Sequence, residues 1–157
     1  MRGLVLDTNI VLDMFVFQDP VTDALRQALG DQHWHWIASV PMRDELVRVL
    51  SYRQIARRLA GASAPDLAQP AHATTLAGVL GRFDKLVHIV PVAAKAGVTC
   101  KDPDDQKFID LAVAHQALLL SKDKAVLCLK KRLLALGVDT AQAVQYSMLA
   151  PPGQRLS

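Results

Sequence analysis

Short apolar runs that stop at an acid or a hydroxyl restrict the fold of this chain more than any other feature. GLVLD ends at Asp7 near the N-terminus, and ALLLS ends at Ser121 in the second half. Apolar runs of this length without alternation predict strands that are buried on both faces. Helical patterns separate these runs. The order therefore predicts an α/β fold, with a mostly parallel sheet covered by helices on both faces.

The other elements follow from periodicity and from helix start and stop signals. Helices are predicted over VTDALRQAL, PMRDELVRVL, RQIARRLAG, HATTLAGVLGRFDKL, PDDQKFIDLAVAHQ and KDKAVLCLKKRLLALG. Further strands are predicted over HWHWIASV and VHIVPV. Residues 61–71 are predicted to form a loop, and AQAVQYSMLAPP to give a last short strand before a frayed tail over residues 150–157.

Length and composition indicate one soluble domain over residues 1–157. With 51% hydrophobic and 21% charged residues, the chain is not of the disordered class. Its net charge of +3 permits nucleic-acid binding without demonstrating it. The apolar N-terminus is interrupted by Asp7 and Asp13, so neither a signal peptide nor a membrane span is predicted.

Cysteine usage favours a reducing compartment and hence a cytoplasmic protein. Cys100 and Cys128 lie far apart in sequence and form no CxxC pair. They predict neither a disulfide framework nor a zinc site, and the simplest interpretation places both in the core.

Two acids follow predicted strands. Asp7 ends the first apolar run, and Asp123 lies two residues beyond ALLLS. Both are expected at the carboxyl edge of the sheet, where ligands bind in folds of this kind. Each residue alone is more often a helix cap than a ligand, because Asp commonly accepts a backbone N–H at such turns.

The acids of KDPDDQKFID separate by their angle around the predicted helix. At about 100° per residue, Asp105 falls at the centre of the apolar stripe that continues with Phe108 and Ile109. Asp110 falls about 140° away from Asp105 and is predicted to face water. A charge at the head of a core-facing stripe needs an explanation beyond helix-start chemistry.

The remaining two acids of this segment have an ordinary explanation. Asp102 precedes Pro103, which fits an N-cap followed by proline at the first helical position. Asp104 lies about 100° from Asp105, at the border of the stripe. Acids in the first turn also complement the helix dipole.

Glu45 is the second helical acid directed toward the sheet. It lies about 40° from Val49, on the edge of the apolar stripe of PMRDELVRVL. Asp44 points away and is predicted to be solvated or paired with Arg48. Arg43 and Arg48 flank Glu45 and are candidates to border the same site.

Four acids from separate segments are thus predicted at one edge of the sheet: Asp7, Glu45, Asp105 and Asp123. Packed together, four carboxylates repel and raise one another's pKa unless a cation joins them. A hard divalent ion with oxygen ligands, Mg²⁺ or Mn²⁺, is the expected cation. Such a centre can activate water and stabilise charge on a phosphodiester.

The chain resembles the PIN-domain ribonucleases over nearly its whole length. The resemblance rests on LVLDTNIVLD, SVPMRDELVRVL and CKDPDDQKFIDLAVAHQALLLSKDKAVL, in that order. It is strongest to the bacterial PIN proteins that act as toxin components of toxin–antitoxin systems. The resemblance implies a three-layer α/β/α sandwich and Mg²⁺- or Mn²⁺-dependent RNA cleavage. It also implies an antitoxin partner that covers the site, and often a homodimer.

The resemblance also assigns roles to single residues. Asp7, Glu45, Asp105 and Asp123 correspond to the four acids of the family, which would be catalytic and bind the metal. Asn9 corresponds to the polar residue that supports the first acid. Ser121 stands where the family often has Thr or Ser and is expected to bond a phosphate or a water of the site. Asp104 is the neighbour that competes with Asp105 for the third position.

Basic residues near these segments are candidates for RNA contacts. They are Arg43, Arg57, Arg58 and Lys122, the last in SKD where the family more commonly has TGD. Phosphate contacts supply most of the non-specific affinity for nucleic acid. The alternative is a solvated basic face, and for Lys122 also an ion pair with an acid. His33 and His35 of HWHW are assigned to the sheet entry rather than to a metal, since no third ligand is near.

Two other functions compete with the nuclease. An RNA- or antitoxin-binding protein with little turnover is disfavoured by the presence of all four acids. A phosphoacceptor domain also gathers carboxylates at the carboxyl edge of a sheet, but it needs a second acid beside Asp7, and position 8 is Thr.

Overall fold

The computed structural model describes residues 2–52 and 76–143. Its strands are β1 Gly3–Leu6, β2 His35–Ala38, β3 His88–Ile89, β4 Leu118–Leu120 and β5 Thr140–Ala141. The helices of this part are α1 Thr8–Phe15, α2 Asp23–Gly30, α3 Val40–Leu50, α4 Leu76–Leu86, α5 Gln106–His115, α6 Lys124–Leu127 and α7 Lys130–Ala135. Short 3-10 turns at Pro20–Thr22 and Pro103–Asp105 precede α2 and α5.

The five strands form one sheet in the order β3-β2-β1-β4-β5, and every neighbouring pair is parallel. Successive side chains on a strand point to opposite faces, yet the three leucines of β4 are all fully buried. Both faces of the sheet are therefore covered, as the unbroken apolar runs predict. The predicted α/β fold with a covered, parallel central sheet is confirmed.

The strand order reverses at the centre of the sheet. The chain moves outward from β1 through β2 to β3, then returns to place β4 on the other side of β1. This reversal creates a crevice at the carboxyl ends of β1 and β4, the usual ligand position in open α/β sheets. Asp7 and Ser121 are the residues that follow these two strands.

Most predicted elements within the described residues are found. Asp102 caps the turn before α5, as predicted, and its side chain accepts the Asp104 N–H at 3.0 Å. His35 begins β2, and its ring lies 4.3 Å from that of His88 on β3. The predicted helix over RQIARRLAG, the loop over residues 61–71 and the frayed tail lie outside the described residues.

Two predictions about burial are wrong. Asp110 is half-buried and does not face water, because its Oδ1 accepts the Ala96 N–H at 2.9 Å and the Gln106 amide at 2.8 Å. The segment before α5 covers the helix face that carries Asp110, which helical periodicity alone does not reveal. Cys100 is buried as predicted, but Cys128 is exposed at the end of α6.

Helix length and hydropathy bear on membrane crossing. Among residues 2–52 and 76–143, no helix has both the length and the apolar character needed to cross a bilayer.

Replacing Asp110 by Ala should lower the free energy of unfolding by about 1–3 kcal/mol, because the buried Ala96 N–H and the half-buried Gln106 amide lose their acceptor. Urea denaturation monitored by circular dichroism measures this change. Asp44→Ala is the matched control, since Asp44 is an exposed helical acid and should change stability by less than about 0.5 kcal/mol. Equal effects of the two substitutions would contradict a structural role for Asp110.

Candidate metal centre

Parallel pairing of β1 with β4 brings the first candidate residues together. Leu6 lies opposite Leu120 in this pairing, so Asp7 and Ser121 leave their strands at the same level. The Asp7 N–H donates to the Leu120 carbonyl at 3.0 Å, which extends the ladder by one bond. The Ser121 hydroxyl then donates to Asp7 Oδ2 at 2.6 Å. Both side chains are almost completely buried.

Asp123 is held at the same edge by the turn after β4. Its N–H donates to Ser121 Oγ at 3.0 Å, and its Oδ1 accepts the Ala125 N–H at 2.9 Å. Asp123 thus caps α6, and Asp7 likewise caps α1 by accepting the Asn9 N–H at 3.3 Å. Capping fixes the backbone of both acids, and in Asp123 the cap bond uses Oδ1.

The third acid, Asp105, lies on the turn that precedes α5. It is 7% exposed, in accord with its predicted place at the head of the apolar stripe. Phe108 and Ile109 follow it on that stripe and are buried beneath it. Among the described residues, Asp105 Oδ2 is a buried side-chain oxygen without a hydrogen-bond partner. A buried acceptor left in this state carries a desolvation cost that a cation would remove.

These three carboxylates form one group. One oxygen from each of Asp7, Asp105 and Asp123 lies within 4.8 Å of the other two. Burial raises the pKa of Asp105 to about 8, aided by its hydrogen bond with Asp123 and by the negative charges of Asp7 and Asp123. Burial likewise raises the pKa of Asp7, and the Ser121 hydroxyl and the Asn9 N–H oppose that shift. At neutral pH the group therefore holds a proton that a cation can replace.

Glu45 lies next to this group but is bound to other partners. Its Oε2 accepts the Thr8 hydroxyl, and its Oε1 forms an ion pair with Lys107 Nζ at 2.9 Å. The pair is mostly buried, with side-chain exposures of 16% and 21% for Glu45 and Lys107. The negative charge of Glu45 contributes to the raised pKa of Asp7, which places it within electrostatic reach. Its role as a fourth metal ligand stays a prediction.

The other predicted site residues are more dispersed. Asn9 is exposed and supports Asp7 through its backbone N–H. Asp104 is exposed and outside the carboxylate group, and its carbonyl accepts from Lys107.

The predicted RNA-binding residues are partly engaged within the protein. Arg43 forms a two-pronged ion pair with Asp84, both bonds at 2.8 Å. Lys122 pairs with Asp13 at 3.0 Å, as the ion-pair alternative predicts, and its side chain remains half-exposed. Arg57 and Arg58 lie outside the described residues.

Sequence reasoning missed Thr8 and Lys107. Thr8 is the middle residue of DTN, and it is buried. Its role becomes visible only in the structure, where its hydroxyl donates to Glu45. Lys107 stands in an acid-rich helix start, where a lysine gives no signal of its own. Its partner lies 62 residues earlier in the chain, on α3, and no local pattern links the two positions.

Comparison with known proteins agrees with this architecture. Residues 3–125 match the sequence model of the PIN domain. The chain belongs to the PIN domain family. A chain of the crystal structure of VapBC2 from Rickettsia felis bound to a DNA fragment from their promoter has a similar fold, with a TM-score of 0.55 and 15% identity. The alignment covers 88% of this chain and 98% of that one. No curated protein matches the sequence.

The carboxylate group of this PIN domain fits a hard divalent cation. It offers three carboxylates, one of them with an oxygen that is buried and unpartnered. Mg²⁺ and Mn²⁺ prefer such oxygen ligands, and their charge would offset both the burial and the repulsion that raise the pKa of Asp105. Thiol and imidazole ligands, which other metals favour, are not part of this group within the described residues.

Without metal, the protein should lose stability as pH rises from about 5 to 8. Asp105 has a native pKa of about 8 against 3.8 in the unfolded chain, so the native state binds the extra proton in this window. The stability that protonated Asp105 contributes is fully present below the unfolded pKa. It falls as pH rises toward the native pKa, by up to about 1.4 kcal/mol per pH unit. Asp105→Asn should flatten this slope.

Urea denaturation in a chelator at several pH values measures the slope. Asp104→Asn is the matched control, because Asp104 is exposed and adjacent in sequence. An Asp105→Asn slope equal to that of the unmodified protein would contradict the assigned protonation.

Proposed function

We propose that this PIN protein is a divalent-metal-dependent ribonuclease that hydrolyses RNA phosphodiester bonds. The observation that carries the proposal is the convergence of Asp7, Asp105 and Asp123 at the strand-order reversal, with one buried oxygen of Asp105 unpartnered. Membership of the PIN family supports nuclease chemistry of this kind. The basic net charge of +3 suits a polyanionic substrate.

Each residue of the centre has a distinct task in this proposal. Asp7, Asp105 and Asp123 would hold Mg²⁺ or Mn²⁺, with Glu45 as a fourth ligand. When bound, the cation supplies water activation and charge stabilisation at the phosphate. The Ser121 hydroxyl and the Asn9 N–H lower the pKa of Asp7 and so favour its ionised form. Asp105 must release its proton for the cation to bind.

We further propose that the protein is the toxin of a toxin–antitoxin pair. The resemblance of its acid-bearing segments to bacterial PIN toxins supports this role. The VapBC2 structure, in which a chain shares this fold, is consistent with it. In such a pair the antitoxin would cover the carboxylate group. Copurification with the product of an adjacent small gene, followed by inhibition of cleavage, tests the partnership.

Asp105→Asn should reduce Mn²⁺-dependent RNA cleavage by at least about 100-fold, beyond the effect typical of residues that only support metal ligands. Asp7→Asn should act similarly, since it removes a second carboxylate of the group. Cleavage of a labelled single-stranded RNA at fixed Mn²⁺ measures the rate. Asp104→Asn is the control and should retain most activity. Unchanged cleavage by Asp105→Asn would refute the assignment.

Glu45→Gln tests whether Glu45 is the fourth metal ligand. If Glu45 binds the cation, this substitution should weaken Mn²⁺ binding by about 10-fold or more, as measured by calorimetry. Asp44→Asn, one position earlier and exposed, serves as the control. Unchanged affinity in Glu45→Gln would restrict the ligand set to the three aspartates.

One contact favours the alternative of an RNA- or antitoxin-binding PIN protein with little turnover. Lys107 already neutralises Glu45, the acid that would complete the set of four. If this pair suppresses catalysis, the native protein should bind RNA without metal-dependent cleavage. Lys107→Met should then gain cleavage. Metal-dependent cleavage by the native protein would rule out this alternative.

A further inference from the structure

The two cysteines of the chain share one hydrogen-bond acceptor, the carbonyl oxygen of Ala125. The thiols of Cys100 and Cys128 both donate to the carbonyl oxygen of Ala125, each with a sulfur-to-oxygen distance of 3.4 Å. The two sulfur atoms therefore lie no farther apart than twice that distance, although 28 positions separate the residues in sequence. Cys128 is exposed and Cys100 is buried, so an oxidant in solution reaches Cys128 first.

The shared acceptor also connects this thiol pair to the carboxylate group. The N–H of Ala125 donates to Asp123 Oδ1 at 2.9 Å, and the carbonyl of the same residue accepts from both thiols. A displacement of Ala125 is therefore transmitted to the Asp123 carboxylate. The thiol contacts have no part in the proposed nuclease chemistry.

Cys100 is the more firmly held of the two cysteines. Its N–H donates to Gln106 Oε1 at 2.7 Å, and the Gln106 amide donates to Val98 O at 2.9 Å. Gln106 directly follows Asp105, so this clamp fixes Cys100 relative to Asp105. To join the two sulfurs, Cys128 and Ala125 would therefore have to move more than Cys100. Ala125 is the residue that contacts Asp123.

We propose that Cys100 and Cys128 form a reversible disulfide that displaces Asp123 and weakens cation binding at the carboxylate group. An S–S bond is about 2.05 Å long, so the two sulfurs must approach each other for the bond to form, and this movement would draw Cys128 and the end of α6 toward Cys100. The disulfide has no S–H donor, so Ala125 O loses both of its thiol bonds. The effect on the cation rests on the proposed function, whereas formation of the disulfide does not.

A peroxide is the oxidant that balances this reaction. The Cys128 thiolate attacks one peroxide oxygen, the O–O bond breaks, and a sulfenic acid and hydroxide form. The hydroxide takes up the proton that the thiol released and becomes water. The Cys100 sulfur then attacks the Cys128 sulfur and displaces the hydroxyl group, which leaves as a second water. Two thiols and one hydrogen peroxide thus give one disulfide and two waters. A dithiol reductant reverses the bond by thiol–disulfide exchange.

The test uses the full chain, reduced and then treated with equimolar hydrogen peroxide. Non-reducing peptide mapping by mass spectrometry should find Cys100 and Cys128 linked within one molecule. Calorimetric titration with Mn²⁺ should show affinity lowered by about 10-fold after oxidation and restored by dithiothreitol. Cys128→Ser is the matched control: its hydroxyl can still donate to Ala125 O, and its affinity should not respond to peroxide.

Absence of the linked peptide, a link only between molecules, or a linked peptide with unchanged Mn²⁺ affinity would each overturn the proposal. Failure of the proposed function would appear in the first step, before any oxidant is added. A reduced protein that binds no Mn²⁺ in the calorimetric titration lacks the proposed metal centre. The two proposals are therefore tested at separate steps of one experiment.

Discussion

The parallel pairing of β1 with β4 is the constraint on which the candidate metal centre depends. It sets Asp7 and Ser121 at one level of the sheet, where the Ser121 hydroxyl donates to Asp7 at 2.6 Å. Asp123 follows Ser121 by two residues, and the turn that precedes α5 adds Asp105 to the same group. Register matters because a shift of one residue would turn Asp7 and Ser121 to opposite faces.

Burial of the three carboxylates destabilises the metal-free protein and favours binding of a cation. Carboxylates withdrawn from water repel one another, and the raised pKa of Asp105, about 8, expresses that cost. A group selected for stability alone would place apolar side chains here, as most of the surrounding core does. A bound divalent cation would offset the repulsion and satisfy the unpartnered oxygen of Asp105. The fold thus holds in place a set of acids whose natural complement is a metal ion.

The sequence was sufficient to predict the structure where burial follows the local periodicity of a strand or a helix. It predicted the strands, the positions of Asp7 and Asp123 after them, and the burial of Asp105 at the head of its helical stripe. It failed where a contact comes from a distant segment. Asp110 was assigned to solvent because a helical period cannot show that the Ala96 N–H, from the segment before α5, donates to it. The Thr8 and Lys107 contacts of Glu45, and the meeting of the two thiols at Ala125, likewise depend on long-range packing.

The central claim is that the three aspartates form a cation site that must lose a proton to bind metal. Calorimetric titration of Mn²⁺ at pH 7, in two buffers with different ionisation enthalpies, counts the protons released on binding. Release of close to one proton per bound ion is expected, because Asp105 with a pKa of about 8 is mostly protonated at this pH. Mn²⁺ binding without proton release, or no binding at all, would contradict the account.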